Sequence, residues 1–320
     1  MEPLKPWERE IIQEYIDEEK AVYVRLEEAY RLALKSIDEK IAAMLGQAGA
    51  ELPHVIYRAD YQKSVKDQIT AILAQLQADE FETVSTFISN SYDTGFIGCM
   101  YALHNQRMPF LLPIDKKLVE KAVRIDTQLS GSLYKVLQVD IEKLKKIIQQ
   151  EISRGAASGM MYAEMSRNIA RASRVPLNRA RVIVRTEAGR IQEQAAFDAA
   201  KAAKDKGADV VKQWSAIRDE RTRYTHRLLD GQVRELDEYF EVHGKKALRP
   251  HGFGLPEEDI NCRCTMLIRA RAALNEDEYK RLQEIARDHG LMVPDKKKTF
   301  GHEKAVNFSD FKKNYLNAVK

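Results

Sequence analysis

The sequence predicts a predominantly α-helical protein with a small C-terminal α+β domain. Before residue 206, apolar residues recur at spacings of three and four, as they do on one face of a helix. Charged residues make up 31% of the chain and apolar residues 44%, a balance typical of long helices that each expose one face. After Gly207 the pattern changes to short apolar runs around turn-forming pairs such as Asp230-Gly231, which favours short strands.

The individual elements follow from this spacing and from glycine and proline. The predicted helices are 7–46, about 57–87, a segment that resumes after Gly131 and runs to Ile152, and a helix that ends near Lys206. The stretch from Tyr92 to Pro113 contains two glycines and two prolines and is predicted to be broken. A helix break is also predicted before Pro176. Strands are predicted around 210–217 and 260–268, and one more helix from Asn275 to about His289.

The same changes of pattern divide the chain into four predicted parts. They are a helical N-terminal domain (1–150), a helical connector that carries the Arg185-Thr186-Glu187 segment (151–205), a small α+β domain (206–272), and a helix with a basic tail (273–320).

Composition excludes several classes of protein. Three cysteines are too few for a disulfide framework, and an odd number cannot all form pairs. The cysteine count therefore favours a reducing compartment. The N-terminus lacks the apolar core of a signal peptide, and no run reaches the ~18 apolar residues of a membrane span. We therefore expect a soluble, intracellular protein.

Charge is distributed unevenly along the chain. Residues 1–50 hold eleven acids against seven bases, whereas 154–190 holds eight arginines and two acids. The tail from Asp295 to Lys320 has seven lysines against three acids. This distribution predicts differently charged neighbours, with Lys296, Lys297 and Lys298 as candidate nucleic-acid-binding residues.

Glu187 occupies an unusual position on the predicted connector helix. It falls within an apolar stripe, four residues after Ile183 and four before Ile191. A carboxylate on a buried face needs a charged or hydrogen-bonding partner, because its desolvation is costly. Candidate partners are Arg218, Arg221 and Arg223, so we expect Glu187 to contact the segment from Asp219 to His226.

The stretch from Trp214 to Cys264 concentrates residues that carry chemistry. It holds two of the three cysteines, one of the two tryptophans and three of the seven histidines. On a strand, Cys262 and Cys264 would share one face, and with His226 they would supply three of the four ligands of a zinc site. The fourth would be His243, His251 or Asp219. The C-x-C spacing differs, however, from the two-residue spacing of common zinc fingers.

Two other interpretations of this stretch remain open. Cys262 or Cys264, activated by His226, could act as a nucleophile in a metal- or cysteine-dependent hydrolase. Alternatively, the cysteines are small buried residues in the polar core of a recognition domain, since free cysteine is among the most buried residue types. We favour the buried core.

A spaced set of motifs between about 175 and 268 resembles the phage head morphogenesis family, the Mu F-like and SPP1 gp7-like minor head proteins. The departure from the family pattern is the stretch after Arg185-Thr186-Glu187, where a polar residue is usual and this chain has Ala188-Gly189-Arg190-Ile191. The polar cluster that carries the resemblance is Arg185, Glu187, Trp214, Asp219, Arg221, Arg223, His226, Asp230, Asn261, Cys262 and Cys264.

The resemblance implies a structural minor head (capsid) protein of a tailed phage that acts in head morphogenesis and in DNA packaging or delivery. It implies association with the portal protein, with scaffold or major capsid protein and phage DNA as further candidate partners, and no membrane before ejection. It places the chain in the virion, inside the capsid, and in the host cytoplasm during assembly. No enzymatic activity, no fused toxin domain and no cofactor are expected on this interpretation. Zinc at His226, Cys262 and Cys264 is the alternative.

Overall fold

The computed structural model describes residues 4–48, 59–106, 108, 112–118, 133–158, 162–271 and 307–319. The predicted helix 275–289 and the lysines at 296–298 lie outside these ranges. The fold class is confirmed, since long helices precede a small region of antiparallel sheet. Within the described ranges, no helix combines the length and the apolar character that a bilayer span needs.

Seven helices and five strands make up the described part of the chain. They are α1 (Pro6–Ala48), α2 (Ala59–Asn105), α3 (Leu133–Ser158), α4 (Tyr162–Asp205), β1 (Val210–Ser215), α5 (Tyr224–Leu229), β2 (Val233–Arg234), β3 (Phe240–Val242), β4 (Lys245–Ala247), α6 (Pro256–Asp259), β5 (Thr265–Ala270) and α7 (Phe308–Val319).

Helix α2 continues to Asn105, through the first part of the stretch from Tyr92 to Pro113 that was predicted to be broken. Gly95 and Gly98 lie inside it, where they allow close packing instead of ending the helix. A Cβ at Gly95 would lie 2.2 Å from the backbone oxygen of Gln192 on α4, so only glycine fits there. The prediction was wrong because a glycine that permits contact between helices looks the same in sequence as one that ends a helix.

Helix α4 likewise runs through Pro176 without the predicted break. An internal proline removes one backbone hydrogen bond and costs ~3 kcal/mol or more. Met165, Ile169 and Ala180 are nevertheless buried on both sides of it. Burial along the continuous stripe outweighs the local cost, which propensity alone does not capture.

Packing divides the chain into two compact units, each built from discontinuous segments. The first comprises 1–19, 87–129 and 184–320, and the second comprises 20–86 and 130–183. The two units are defined by contacts between residues, whereas the four predicted parts were defined by changes in the sequence pattern. The second unit has an aliphatic core in which the Tyr30 hydroxyl donates to Glu80 Oε1 at 3.0 Å.

The small sheet of the first unit has the strand order β2-β1-β5, and all its pairs are antiparallel. The predicted strand around 210–217 is confirmed as β1. The second predicted strand begins five residues later than expected, at Thr265, because α6 and a turn occupy the residues before it. Strands β3 and β4 form a separate hairpin whose turn residues, His243 and Gly244, have positive φ.

The outer edge of β5 is covered by side chains from two helices. Glu193 on α4 accepts a hydrogen bond from the Met266 backbone N–H at 2.7 Å. Gln106, just after α2, donates to the Ile268 carbonyl at 2.9 Å and accepts from the Ala270 N–H at 2.8 Å. These contacts occupy backbone groups that an edge strand would otherwise offer to another chain.

Candidate functional site

Two thiols and an imidazole converge in the core of the small domain. Helix α5 presents His226, the turn after α6 presents Cys262, and Cys264 directly precedes β5. The Sγ atoms lie 3.7 Å (Cys262) and 3.3 Å (Cys264) from His226 Nδ1. Their spacing had predicted that both cysteines lie on a strand, and this was wrong. They lie before β5, where the turn brings their sulfurs together. All three side chains are buried, with exposures of 2%, 2% and 5% for His226, Cys262 and Cys264.

Residues around His226 fix the orientation of its ring. Trp214 packs edge-on against it, with ring centroids 5.6 Å apart. Its Nε2 lies 3.2 Å from the Oε2 atom of buried Glu258, which also accepts a hydrogen bond from Thr225. Lys245 lies 2.6 Å from the other oxygen of Glu258. Nε2 thus lies on the side of Glu258, and Nδ1 faces the two sulfurs.

His251 approaches the same cluster from the loop after β4. It is 5% exposed and has a φ of 57°, a conformation that non-glycine residues rarely adopt. Its imidazole interacts with the Cys262 thiol. On its other side the ring lies against Gly189 of α4, where an added Cβ would be 2.5 Å from His251 Cε1.

The pKa values of the two cysteine thiols are shifted in opposite directions. The hydrogen bond from Cys264 is the largest of the effects that hold the pKa of Cys262 well below its usual range, and His251 and His226 act in the same direction. That hydrogen bond and burial raise the pKa of Cys264. Burial disfavours the charged form of His251, but Cys262 and Glu193 outweigh it and raise the pKa of His251. The cluster therefore favours one thiolate, at Cys262.

The outer polar residues are occupied by other contacts. Arg263, between the two cysteines, binds Asp219 through two hydrogen bonds of 2.6 and 2.7 Å. This contact is the main reason that the pKa of Asp219 is lowered. His243 is exposed and stacks on Tyr224, with ring centroids 6.3 Å apart. Of the three residues predicted as a fourth ligand, only His251 therefore lies beside the thiols.

Further polar contacts hold the loops around the cluster. Arg223 donates to the Ile260 carbonyl. Asp230 accepts from the Ala216 N–H at 3.0 Å and pairs with Arg218 at 3.1 Å. Arg221 donates its backbone N–H to Asp219 at 3.0 Å, and its side chain is exposed.

The Arg185-Thr186-Glu187 segment contacts its surroundings through all three residues. Arg185 pairs with Glu19 at 2.7 Å, and the Thr186 hydroxyl accepts from the Asn261 backbone N–H at 3.1 Å. Glu187 is buried, as predicted, and forms an ion pair of 3.0 Å with Arg190 on its own helix. Its predicted contact with 219–226 stays a prediction.

Part of the charge asymmetry is neutralised within the chain. Within the second unit, Arg181 of the arginine-rich helix pairs with Glu27 of the acidic first helix. By contrast, Arg167, Arg171 and Arg174 are exposed at spacings of four and three, on one face of α4. This arginine face is defined by these three residues.

Sequence reasoning missed Gly189, Glu193 and Glu258. Glu258 lies in the acidic run Glu257-Glu258-Asp259, which reads as a solvated surface, and only the fold shows that it is buried beside His226. Gly189 was noted only as a departure from a polar pattern. Its significance was recognisable in principle, because a glycine in a buried helical stripe indicates close approach of another segment.

Part of the chain is similar in sequence to known proteins. The family model described as "Phage Mu protein F like protein" matches residues 146–267, which include α4, β1 to β4, the first half of β5 and the thiol–imidazole cluster. The chain is 34% identical to NAD(+)--arginine ADP-ribosyltransferase EFV of Enterococcus faecalis (strain ATCC 700802 / V583) over 64% of its own length and 42% of that protein. It is 30% identical to Minor head protein GP7 of Bacillus phage SPP1 over 57% of its length and 58% of that protein.

The matched regions thus span 42% and 58% of the lengths of these two relatives. No solved structure matches significantly. Over residues 146–267, the chain is therefore similar to the Phage Mu protein F-like family.

Proposed function

We propose that the chain is a structural minor head protein of a tailed phage that acts in head morphogenesis. The supporting observation is the coincidence of the family match with the packed region formed by α4, the sheet and the thiol–imidazole cluster. The similarity to a protein named as a minor head protein points to the same role. Its site of action is the virion, inside the capsid, after assembly in the host cytoplasm.

The portal protein is the partner we propose. Helix α5 carries Tyr224 and Leu228 one turn apart, and their side chains are 65% and 42% exposed. Large apolar side chains exposed together on one face are typical of protein contacts. We therefore assign this face of α5 as the surface that contacts the portal.

Co-expression with the portal protein of the same phage tests this assignment. Retention of the chain on affinity-tagged portal is the expected result, with loss of retention for Tyr224→Ser/Leu228→Ser. The matched control is Leu32→Ser, which removes a 50% exposed leucine from α1. Equal retention of all three forms would contradict the α5 surface, and no retention of the wild-type chain would contradict the portal partnership.

Phage DNA is a second partner that a specific observation favours. The arginine face of Arg167, Arg171 and Arg174 is exposed, and no ion pair with these residues occurs within the described ranges. Exposed arginines at helical spacing are suited to a phosphate backbone. We therefore propose that the chain acts in DNA packaging or delivery.

A structural role fits the thiol–imidazole cluster better than catalysis. His226, Cys262 and Cys264 are at most 5% exposed, so a substrate could not reach the sulfurs without local opening. The match to the ADP-ribosyltransferase of Enterococcus faecalis covers 42% of that protein, and we do not extend its named activity to this chain. We therefore propose no hydrolase or transferase activity.

A further inference from the structure

We propose that the small domain binds one zinc ion through His226, Cys262, Cys264 and His251. The ion would join α5, the loop after β4 and the turn before β5 into one rigid site. This inference concerns the isolated chain and does not depend on its role in the phage head.

The spacing of the donor atoms fits a tetrahedral ion. Zn–S bonds of ~2.3 Å and Zn–N bonds of ~2.05 Å place a sulfur and a nitrogen ligand ~3.6 Å apart at tetrahedral angles. The two observed distances from His226 Nδ1 are 3.3 and 3.7 Å. The three donor atoms all lie within 4.8 Å of one another. No large movement is needed for them to share an ion.

Contacts around the ligands are those that a metal site requires. Nδ1 of His226 is the ring nitrogen that faces the two sulfurs, while Nε2 lies 3.2 Å from the Glu258 carboxylate without forming a hydrogen bond to it. The backbone N–H of Cys264 is directed at Cys262 Sγ from 3.4 Å, and such a contact stabilises a thiolate ligand. Both arrangements orient ligands towards the interior of the cluster.

His251 is the fourth ligand that the structure favours. Its imidazole lies near enough to Cys262 for each group to shift the pKa of the other, and its buried Nδ1 has no hydrogen-bond partner within the described ranges. A buried nitrogen without a partner is unfavourable unless a ligand satisfies it. Positive φ at both His251 and Asn261 shows that the two loops adopt strained conformations around the cluster, as is common at binding sites.

The donor set and its burial identify the metal and its role. Two thiolates with two imidazoles are ligands typical of zinc in a closed structural site. With His251 in the fourth position, no coordination site stays open for water or substrate. The ion would therefore stabilise the small domain instead of catalysing a reaction.

Metal analysis of the full chain, purified with a thiol reductant, tests the proposal. We expect about one zinc ion per chain, and loss of it in Cys262→Ser and Cys264→Ser. Matched controls are Cys99→Ser, at a buried cysteine of α2, and His243→Asn, at an exposed histidine. Both controls should keep their zinc. A wild-type chain without zinc, even after zinc addition and removal of excess, would overturn the proposal.

Two measurements cover variants that fail to fold. A strong chelator should lower the melting temperature of the wild-type chain, and zinc but not magnesium should restore it. Cobalt bound in place of zinc should give the absorption of a tetrahedral thiolate site. His251→Asn should weaken cobalt binding at least roughly tenfold. Unchanged binding in that variant would overturn the assignment of His251, and an unchanged melting temperature after chelation would overturn the structural role.

Discussion

The imidazole ring of His251 occupies the space that a side chain at Gly189 would need. A Cβ on Gly189 would lie 2.5 Å from Cε1 and 2.8 Å from Nε2 of the histidine ring. The ring is buried and its backbone φ is 57°, so the loop cannot withdraw without breaking other contacts. The absence of a side chain on α4 therefore determines where this loop can pack.

Gly189→Ala is expected to destabilise the first unit by about 1–3 kcal/mol, because the added methyl group overlaps a buried ring. Gly98→Ala in α2 is the matched control. A Cβ there would meet side chains alone, Ile11 Cγ2 at 3.1 Å and Phe308 Cζ at 3.7 Å, while alanine gains up to ~1 kcal/mol of helix propensity. Chemical denaturation would measure both. Equal stability changes in the two variants would contradict the packing argument.

Gln106→Ala should expose the outer edge of β5. The variant loses one donor to Ile268 and one acceptor for Ala270, and we expect a stability loss of about 1–3 kcal/mol. Concentration-dependent association should increase as well, since the freed backbone groups can pair with another chain. Gln13→Ala, which removes an exposed contact with Asp17, is the control for denaturation and light scattering. The edge-covering role fails if both variants behave alike.

Spacing and local chemistry were sufficient to predict much of the fold. Periodicity predicted α1 and the first half of α2, and the change of pattern after Gly207 predicted β1 and the small domain. Grouping Cys262, Cys264 and His226 was also correct, because these residue types are rare in this chain and are concentrated in one stretch.

Errors arose where distant contacts override local preference. Gly95 and Pro176 were interpreted as breaks, yet each lies inside a helix that packing holds together. His251 was one of three equal candidates, because only the fold shows which histidine lies on Gly189.

Glu80 should make the stability of the second unit depend on pH. Burial raises its pKa to about 8 from an ordinary 4.5, the Tyr30 hydrogen bond opposes this, and Asp140 adds to it. Arg179 and Lys143 pair with Asp140. Between these pH values the folded chain holds a proton that the unfolded chain has released. The contribution of Glu80 is therefore fully present below pH 4.5 and is lost as pH rises to about 8.

Glu80→Gln removes this titration and should flatten the dependence by up to about 1.4 kcal/mol per pH unit. Denaturation at several pH values between 4.5 and 8 would measure it. The exposed Glu82→Gln variant is the control on the same helix. Parallel pH profiles for wild type and Glu80→Gln would show that Glu80 is not the responsible group.

The arginine face should contribute to DNA binding as a set of phosphate contacts. Replacing Arg167, Arg171 and Arg174 with glutamine is expected to weaken binding to double-stranded DNA and to reduce the salt dependence by ~0.9 in log–log slope per lost contact. Arg179→Gln, which removes an arginine paired with Asp140, is the control. Fluorescence anisotropy across a salt series provides the slopes. Identical slopes for wild type and the triple variant would contradict contact at this face.

Quantitative mass spectrometry of purified heads of the phage that encodes this chain tests the proposed function most directly. The chain should be present in heads that have withstood washing at high salt, in far fewer copies than the major capsid protein. It should also be enriched with the portal when heads are dissociated. Its absence from heads, while it is abundant in the lysate, would contradict the role of a minor head protein.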